Sequence, residues 1–153
     1  MASPDPSPRS LRTATHDAIE AMATASPCIV VLQDCDVRGV DFSLFDLSNA
    51  HCMFDGGRFE ACSFRGCVIM DLHLSDAELL RCDFAGLDSR CASFVGATIT
   101  ECSFRGARLV NALFVEATLK DCEWDGANLN GATFDKVRGS RPPLSPHDSP
   151  PPR

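Results

Sequence analysis

The sequence predicts an all-β solenoid of about five coils with a helix covering its N-terminal end. The first observation is a period of twenty residues, in which a cysteine is followed by an aromatic residue and then by a glycine. The copies are CSFRG at 62–66, CDFAG at 82–86, CSFRG at 102–106 and CEWDG at 122–126. The second observation is that large apolar residues recur every five positions between these landmarks. Gapless repeats of this kind are typical of solenoids, in which each coil rests on the previous one.

The five-residue period defines which side chains face inward. We call the central large residue of each pentad i; residues 35–49 and 52–136 contain twenty pentads, and nineteen of their centres are large and apolar. Position i−2 holds mainly Ala or Cys, and eight of the ten Gly fall at i+2. Strict fives fit neither a helix nor a strand. They fit a chain that turns a corner after each pentad, with i and i−2 inward and four sides closing one coil.

The predicted core contains columns of identical side chains, because residues twenty positions apart stack at about 4.8 Å. Where the centre is small, at Ser89, its partner Leu87 is expected to restore the volume. Four thiols in one line cannot surround a metal tetrahedrally, so we predict buried structural thiols and no metal or cofactor site. The predicted columns are Phe64, Phe84, Phe104 and Trp124 at i, and Cys62, Cys82, Cys102 and Cys122 at i−2.

These pentads resemble those of the pentapeptide-repeat family, whose motif is A(D/N)LXX. Close matches are VDFSL at 40–44, AELLR at 77–81, ATLKD at 117–121, ANLNG at 127–131 and ATFDK at 132–136. The resemblance covers residues 35–136 and implies a right-handed quadrilateral β-helix. Most members of the family have no assigned activity, and some protect type II topoisomerases by imitating the shape and charge of duplex DNA.

The N-terminal flank is predicted to cap the first coil. Residues 1–9 are rich in Pro and Ser and are predicted to be disordered. An amphipathic helix is predicted over residues 10–25, with Ser10 as its N-cap and Pro27 ending it. Residues 10–27 would then shield the open β edge of the solenoid.

The solenoid itself is assigned to residues 28–136. Ala50 and His51 interrupt the pentads and are expected to bulge from a corner. Residues 137–153 are rich in Pro and are predicted to be a disordered tail. We expect the last coil either to form a homodimer with a second copy or to be capped by Val137 and the start of the tail.

The sequence contains no arrangement typical of catalysis, and we predict that the protein is not an enzyme. His51 and His73 occupy outward positions near carboxylates and are expected to be solvated. The glycines mark corners rather than a phosphate-binding loop. No apolar run reaches membrane-spanning length, so we predict no membrane association. The abundance of unpaired cysteines favours the cytoplasm.

The charge of the repeats indicates the class of partner. Residues 35–136 carry sixteen acidic and nine basic side chains, a net charge of −7 that disfavours direct nucleic-acid binding. We expect Asp76 to stack near Glu116 and Glu101 near Asp121. These four, with Asp71 beside them, form the predicted interaction stripe.

Two functional hypotheses follow from the charge and the resemblance. The first is a binding or scaffold module for an unknown protein partner. The alternative is a DNA mimic that binds a type II topoisomerase, gyrase. Duplex DNA of the rod's length, about 24 Å, would carry about fourteen charges, so the net charge of the rod is about half of that value.

Overall fold

The computed structural model describes residues 12–143, which form a parallel β-solenoid of about six turns with one N-terminal helix. The predicted fold class is therefore confirmed. The elements are β1 Arg12–Thr13, α1 His16–Ala23, β2 Ile29–Val31, β3 Cys35–Arg38, a 3-10 turn Phe42–Leu44, β4 His51–Met53, β5 Arg58–Glu60, β6 Asp71–His73, β7 Glu78–Leu80, β8 Thr98–Thr100, β9 Thr118–Lys120 and β10 Arg138–Gly139.

Each coil has four sides, which we number in chain order from the side that contains β3. Side 1 is a seven-stranded parallel sheet in the order β1-β3-β5-β7-β8-β9-β10, and side 4 contains the three-stranded sheet β2-β4-β6. Sides 2 and 3 are ladders of isolated parallel bridges, Asp41–Ser63–Asp83–Ser103–Glu123 and Val68–Asp88–Arg108–Asn128. From β4 onward the paired residues lie twenty positions apart, as in His51 and Asp71. This is the coil length that the sequence predicts.

The interior is filled by the residues at i and i−2. In β5, for example, Phe59 has no exposed surface while its neighbours Arg58 and Glu60 are partly exposed. Burying a side chain of this size contributes about 1.5–3 kcal/mol relative to leaving it in water. The Phe residues with no exposed surface are Phe42, Phe54, Phe59, Phe64, Phe84, Phe94, Phe104 and Phe114.

The i−2 cysteines of side 2 are hydrogen-bonded to the backbone of the preceding coil. The Sγ of Cys62 donates to the carbonyl oxygen of Val37 at 3.4 Å, and the Sγ of Cys82 donates to that of Phe59 at 3.3 Å. A hydrogen bond with Cys102 and burial together raise the pKa of Cys82 to about 12. Buried, hydrogen-bonded thiols of this kind are poor nucleophiles at neutral pH.

The helix is shorter than the sequence predicts. It begins after Thr15, whose Oγ1 accepts a hydrogen bond from the amide of Ala18, and Ile19 is its fully buried contact with the core. The predicted N-cap, Ser10, lies outside the described residues, and the helix that forms is capped by Thr15. Residues 12–13 form β1 instead, because the edge of β3 offers their backbone a parallel partner.

The predicted bulge at Ala50 and His51 is wrong. Ala50 is buried, and His51 is the first residue of β4, paired with Asp71. Asp41 pairs with Ser63 at a separation of 63 − 41 = 22 residues, whereas His51 pairs with Asp71 at 71 − 51 = 20. The two extra residues are therefore absorbed between Asp41 and His51, ahead of the ladder of side 4, which stays intact.

The C-terminal end of the solenoid continues beyond residue 136. Arg138 and Gly139 form β10 and pair with Thr118 and Leu119, although the sequence predicts a disordered tail from residue 137. Pro142 is buried, and residues 144–153 of the predicted tail lie outside the described part of the chain. Within residues 12–143 no helix is long and apolar enough to cross a membrane.

Candidate functional site

The turns between side 4 and side 1 form one continuous edge of the solenoid. Successive turns are joined by backbone hydrogen bonds, such as that from the amide of Asp34 to the carbonyl of Asp55 at 3.1 Å and that from Glu116 to Asp135 at 2.9 Å. Of the six turns, only the one that contains Gly96 lacks a carboxylate. We call these five carboxylates the acidic edge: Asp34, Asp55, Asp76, Glu116 and Asp135.

Most of the acidic edge is not neutralised by nearby cations. Within residues 12–143, Asp55, Asp76 and Asp135 form no ion pair, and the Nζ of Lys136 lies 4.0 Å from Glu116. Asp55 instead accepts a hydrogen bond of 2.8 Å from the amide of Ser75. The edge therefore presents negative charge to solvent over the length of the solenoid.

The turn that lacks a carboxylate is covered by a carboxylate from the preceding coil. A Cβ added to Gly96 would collide with Oδ1 of Asp76, so the side chain of Asp76 lies over this glycine. Gly96 also has a φ of 70°, which a glycine adopts without strain. The glycine therefore leaves room for the carboxylate of the preceding coil.

The charges on sides 1 and 2 are arranged differently, because their cations and anions pair across neighbouring coils. Arg58 Nε lies 2.9 Å from Glu78 Oε2, and Arg81 lies 2.8 Å from Glu60. On side 2, Arg65 lies 3.5 Å from Asp83. The charges on sides 1 and 2 are thus more fully paired than those of the acidic edge.

The predicted interaction stripe is divided among three columns. Asp76 and Glu116 lie on the acidic edge but are two coils apart, because forty residues separate them and Gly96 lies between. Glu101 and Asp121 lie in adjacent coils at the corner between sides 1 and 2, where Arg81 is 3.8 Å from Glu101.

The fifth residue of the stripe, Asp71, lies on side 4 between two histidines. Its Oδ2 is 2.6 Å from Nδ1 of His51, and its Oδ1 is 2.6 Å from Nε2 of His73. An ionised carboxylate can only accept, so both imidazoles donate. The bond from His51 is the main cause that holds the pKa of Asp71 below its usual value.

Sequence reasoning missed both of these groupings. Asp34, Asp55 and Asp135 were not assigned to the stripe, although each occupies i+1 or i+2 of a side 4 pentad. His51 and Asp71 are one coil apart, and Asp71 and His73 are two residues apart on one strand. The twenty-residue separation was therefore the available signal for the histidine cluster.

The predicted core columns lie inside side 2. Phe104 stacks between Phe84 and Trp124, with ring centroids 4.9 and 4.5 Å away and the rings almost parallel. Phe64 continues the column at 4.9 Å from Phe84. The four cysteines of the i−2 column, Cys62, Cys82, Cys102 and Cys122, are free thiols, of which the first three are buried and the last is partly buried.

Comparison with known proteins identifies the repeats. A family model described as a pentapeptide repeat region matches residues 57–134, about half of the chain. No curated protein sequence matches the chain at a significant level.

Several solved structures of pentapeptide-repeat proteins are similar to the chain. Rfr23 from the cyanobacterium Cyanothece 51142 is 18% identical over 74% of this chain and 90% of its own, with a TM-score of 0.36. A protein from the Arabidopsis thaliana thylakoid lumen is 26% identical over 72% and 69%, with a TM-score of 0.44. The plasmid-mediated fluoroquinolone resistance protein QnrB1 is 25% identical over 67% of this chain and 59% of its own, with a TM-score of 0.39.

Proposed function

The chain belongs to the pentapeptide-repeat family, and from this we propose that it is a non-catalytic module that binds a protein through its acidic edge. The observation that carries the proposal is the row of carboxylates along one edge of the solenoid, of which Asp55, Asp76 and Asp135 form no ion pair within the described residues. A partner of matching chemistry has a basic surface, which the field of the edge would attract and orient. The free thiols are suited to a reducing compartment, so we place the protein in the cytoplasm.

The rigid backbone supports this role. The carboxylates are attached to turns that are hydrogen-bonded from coil to coil, so their spacing is set by the solenoid rather than by loop motion. A partner therefore meets a preorganised surface and loses less conformational entropy of the module on binding.

The test compares two variants with the same change in net charge. The edge variant carries Asp55→Asn, Asp76→Asn, Glu116→Gln and Asp135→Asn. The control variant carries Glu78→Gln, Asp83→Asn, Asp88→Asn and Glu123→Gln, all of which take part in ion pairs elsewhere on the surface. We expect proteins captured from the host lysate by wild type to be lost with the edge variant and retained with the control. Identical capture by both variants would exclude the edge as the binding surface.

A second candidate function is DNA mimicry directed at gyrase, and one observation favours it. Two rows of carboxylates border side 1: Asp76 and Glu116 at one corner, and Glu101 and Asp121 at the other. Two parallel rows of negative charge are also what the strands of duplex DNA present. The charge density weighs against it, because DNA carries one charge per about 1.7 Å and the rows are interrupted by Gly96 and Arg81.

Supercoiling by purified gyrase tests this second function directly. If the protein is a DNA mimic, wild type should inhibit supercoiling at micromolar concentration, and a variant with Asn or Gln at the four row positions should not. Absence of inhibition by wild type, or equal inhibition by both proteins, would rule the DNA mimic out and leave the protein-binding proposal standing.

A further inference from the structure

The exposed surface of side 4 brings two imidazoles and one carboxylate together. From this arrangement we propose that His51, Asp71 and His73 bind one divalent transition-metal ion, for which Zn²⁺ is the reference. The inference concerns a different surface from the acidic edge and departs from the sequence-based expectation that no metal site exists. It does not depend on the proposed function.

The backbone already provides the framework of such a site. His51 in β4 and Asp71 in β6 are direct partners in parallel strands, about 4.8 Å apart. Asp71 and His73 are two residues apart on β6 and therefore point to the same face. The middle residue of each strand, Cys52 in β4 and Leu72 in β6, points inward and is buried, so both strands are anchored in the core.

The two imidazoles contact the same carboxylate. Each imidazole has one nitrogen 2.6 Å from a carboxylate oxygen of Asp71, His51 from Oδ2 and His73 from Oδ1. Two imidazoles and one carboxylate form a donor set that suits Zn²⁺ and its neighbours among the transition metals, whereas Ca²⁺ and Mg²⁺ prefer oxygen ligands alone. The three side chains are 42–60% exposed, so an ion can enter and water can complete its coordination.

Binding requires the side chains to rotate but leaves the strands in place. The two nitrogens now face the carboxylate from opposite sides and donate protons to it. An ion would bind these nitrogens once each imidazole holds its proton on the other ring nitrogen, with any extra proton released to water, and it would draw the ligands to about 2.0–2.2 Å from itself. Since the ion would link β4 to β6, it should stabilise the folded chain by mass action.

A second cluster of side chains that could ligate a metal provides the matched control. His16, Asp17 and Glu20 lie close together on α1, and their ligand atoms are within 4.8 Å of one another. All three lie on the exposed surface of one short helix, where the side chain of Asp17 is 99% exposed. Among the described residues, the exposed thiol of Cys91 is a further external competitor for Zn²⁺.

The experiment titrates the full-length chain with Zn²⁺ by calorimetry and with Co²⁺ by visible absorption, in a Cys91→Ser background. We expect one ion per chain, with affinity reduced at least about tenfold by His51→Gln, Asp71→Asn or His73→Gln and unchanged by His16→Gln. Circular dichroism establishes that each variant is folded. Zn²⁺ should also raise the melting temperature of the parent but not that of Asp71→Asn.

Three results would overturn the proposal. They are no saturable binding up to about 100 µM Zn²⁺, binding that survives His51→Gln combined with His73→Gln, and binding that is lost in His16→Gln. The acidic edge is intact in all of these variants, so a failure here leaves the capture experiment and its interpretation unaffected.

Discussion

Sides 2 and 3 of the solenoid fill the same core in different ways. On side 2 the centres are rings that stack almost parallel from Phe42 to Trp124, with centroids 4.3–4.9 Å apart. This distance is close to the spacing of neighbouring β-strands, about 4.8 Å. Each ring therefore contacts the equivalent ring of the coil above and of the coil below.

On side 3 the column is interrupted at one coil. Ser89 occupies the centre between Ile69 and Leu109 and is fully buried, and within the described residues its Oγ has no hydrogen-bond partner. Leu87 at i−2 is also fully buried, where the neighbouring coils have the smaller Cys67 and Ala107. The aliphatic column of side 3 thus accommodates a small centre because the adjacent position supplies the volume.

The largest effect should come from breaking the ring column at its middle. Phe104→Ala removes the contacts with Phe84 and Trp124, and we expect it to lower the free energy of unfolding by about 3–5 kcal/mol. Urea denaturation followed by circular dichroism measures this. The neighbouring Arg105→Ala is the control and should change stability by no more than about 0.5 kcal/mol, because Arg105 is 60% exposed and its ion pairs are long. Equal midpoints for the two variants would contradict the packing of side 2.

A smaller effect on stability should come from the buried thiols of side 2 at alkaline pH. The pKa of Cys82 is about 12 in the folded protein against an ordinary value of 9.0. Since the folded pKa is raised, the protonated thiol stabilises the fold fully below pH 9, and this contribution is lost as the pH rises towards 12. We expect a loss of up to about 1.4 kcal/mol per pH unit from such a thiol above pH 9. Urea denaturation at pH 8 and at about pH 10.5 measures how far the free energy of unfolding falls with pH. The fall should be smaller in Cys82→Ala than in wild type, and an equal fall would show that Cys82 does not cause it.

The smallest effect should come from repairing side 3. Ser89→Ala removes a buried hydroxyl that lacks a partner, and we expect it to raise the free energy of unfolding by about 1 kcal/mol. Ser103→Ala is the control, because Ser103 is only partly buried on the outer face, and should leave stability nearly unchanged. If Ser89→Ala instead destabilises the protein, the hydroxyl of Ser89 has a hydrogen-bond partner such as a buried water, and the prediction is wrong.

The amino-acid sequence by itself determined the core of this protein. Large residues at i and small residues at i−2 recur every five positions, and four such pentads make one coil. Phe104 could therefore be assigned a place between Phe84 and Trp124 from the sequence alone. The same reasoning assigned Leu87 as the compensation for Ser89. Such assignments are possible from sequence because an inward position depends only on the local period, which a few substitutions do not change.

The tertiary structure decided which surface groups meet. The two extra residues could lie at several corners, and only the pairing of β4 with β6 shows that they precede His51 and that His51 joins Asp71. The length of the helix was decided in the same way, because residues 12–13 bind the edge of β3. The types of the outward side chains follow the period far less strictly than those of the inward ones in this sequence. The contacts of the outward side chains are set by the register between coils, and the hydrogen bonds of the completed ladder fix that register.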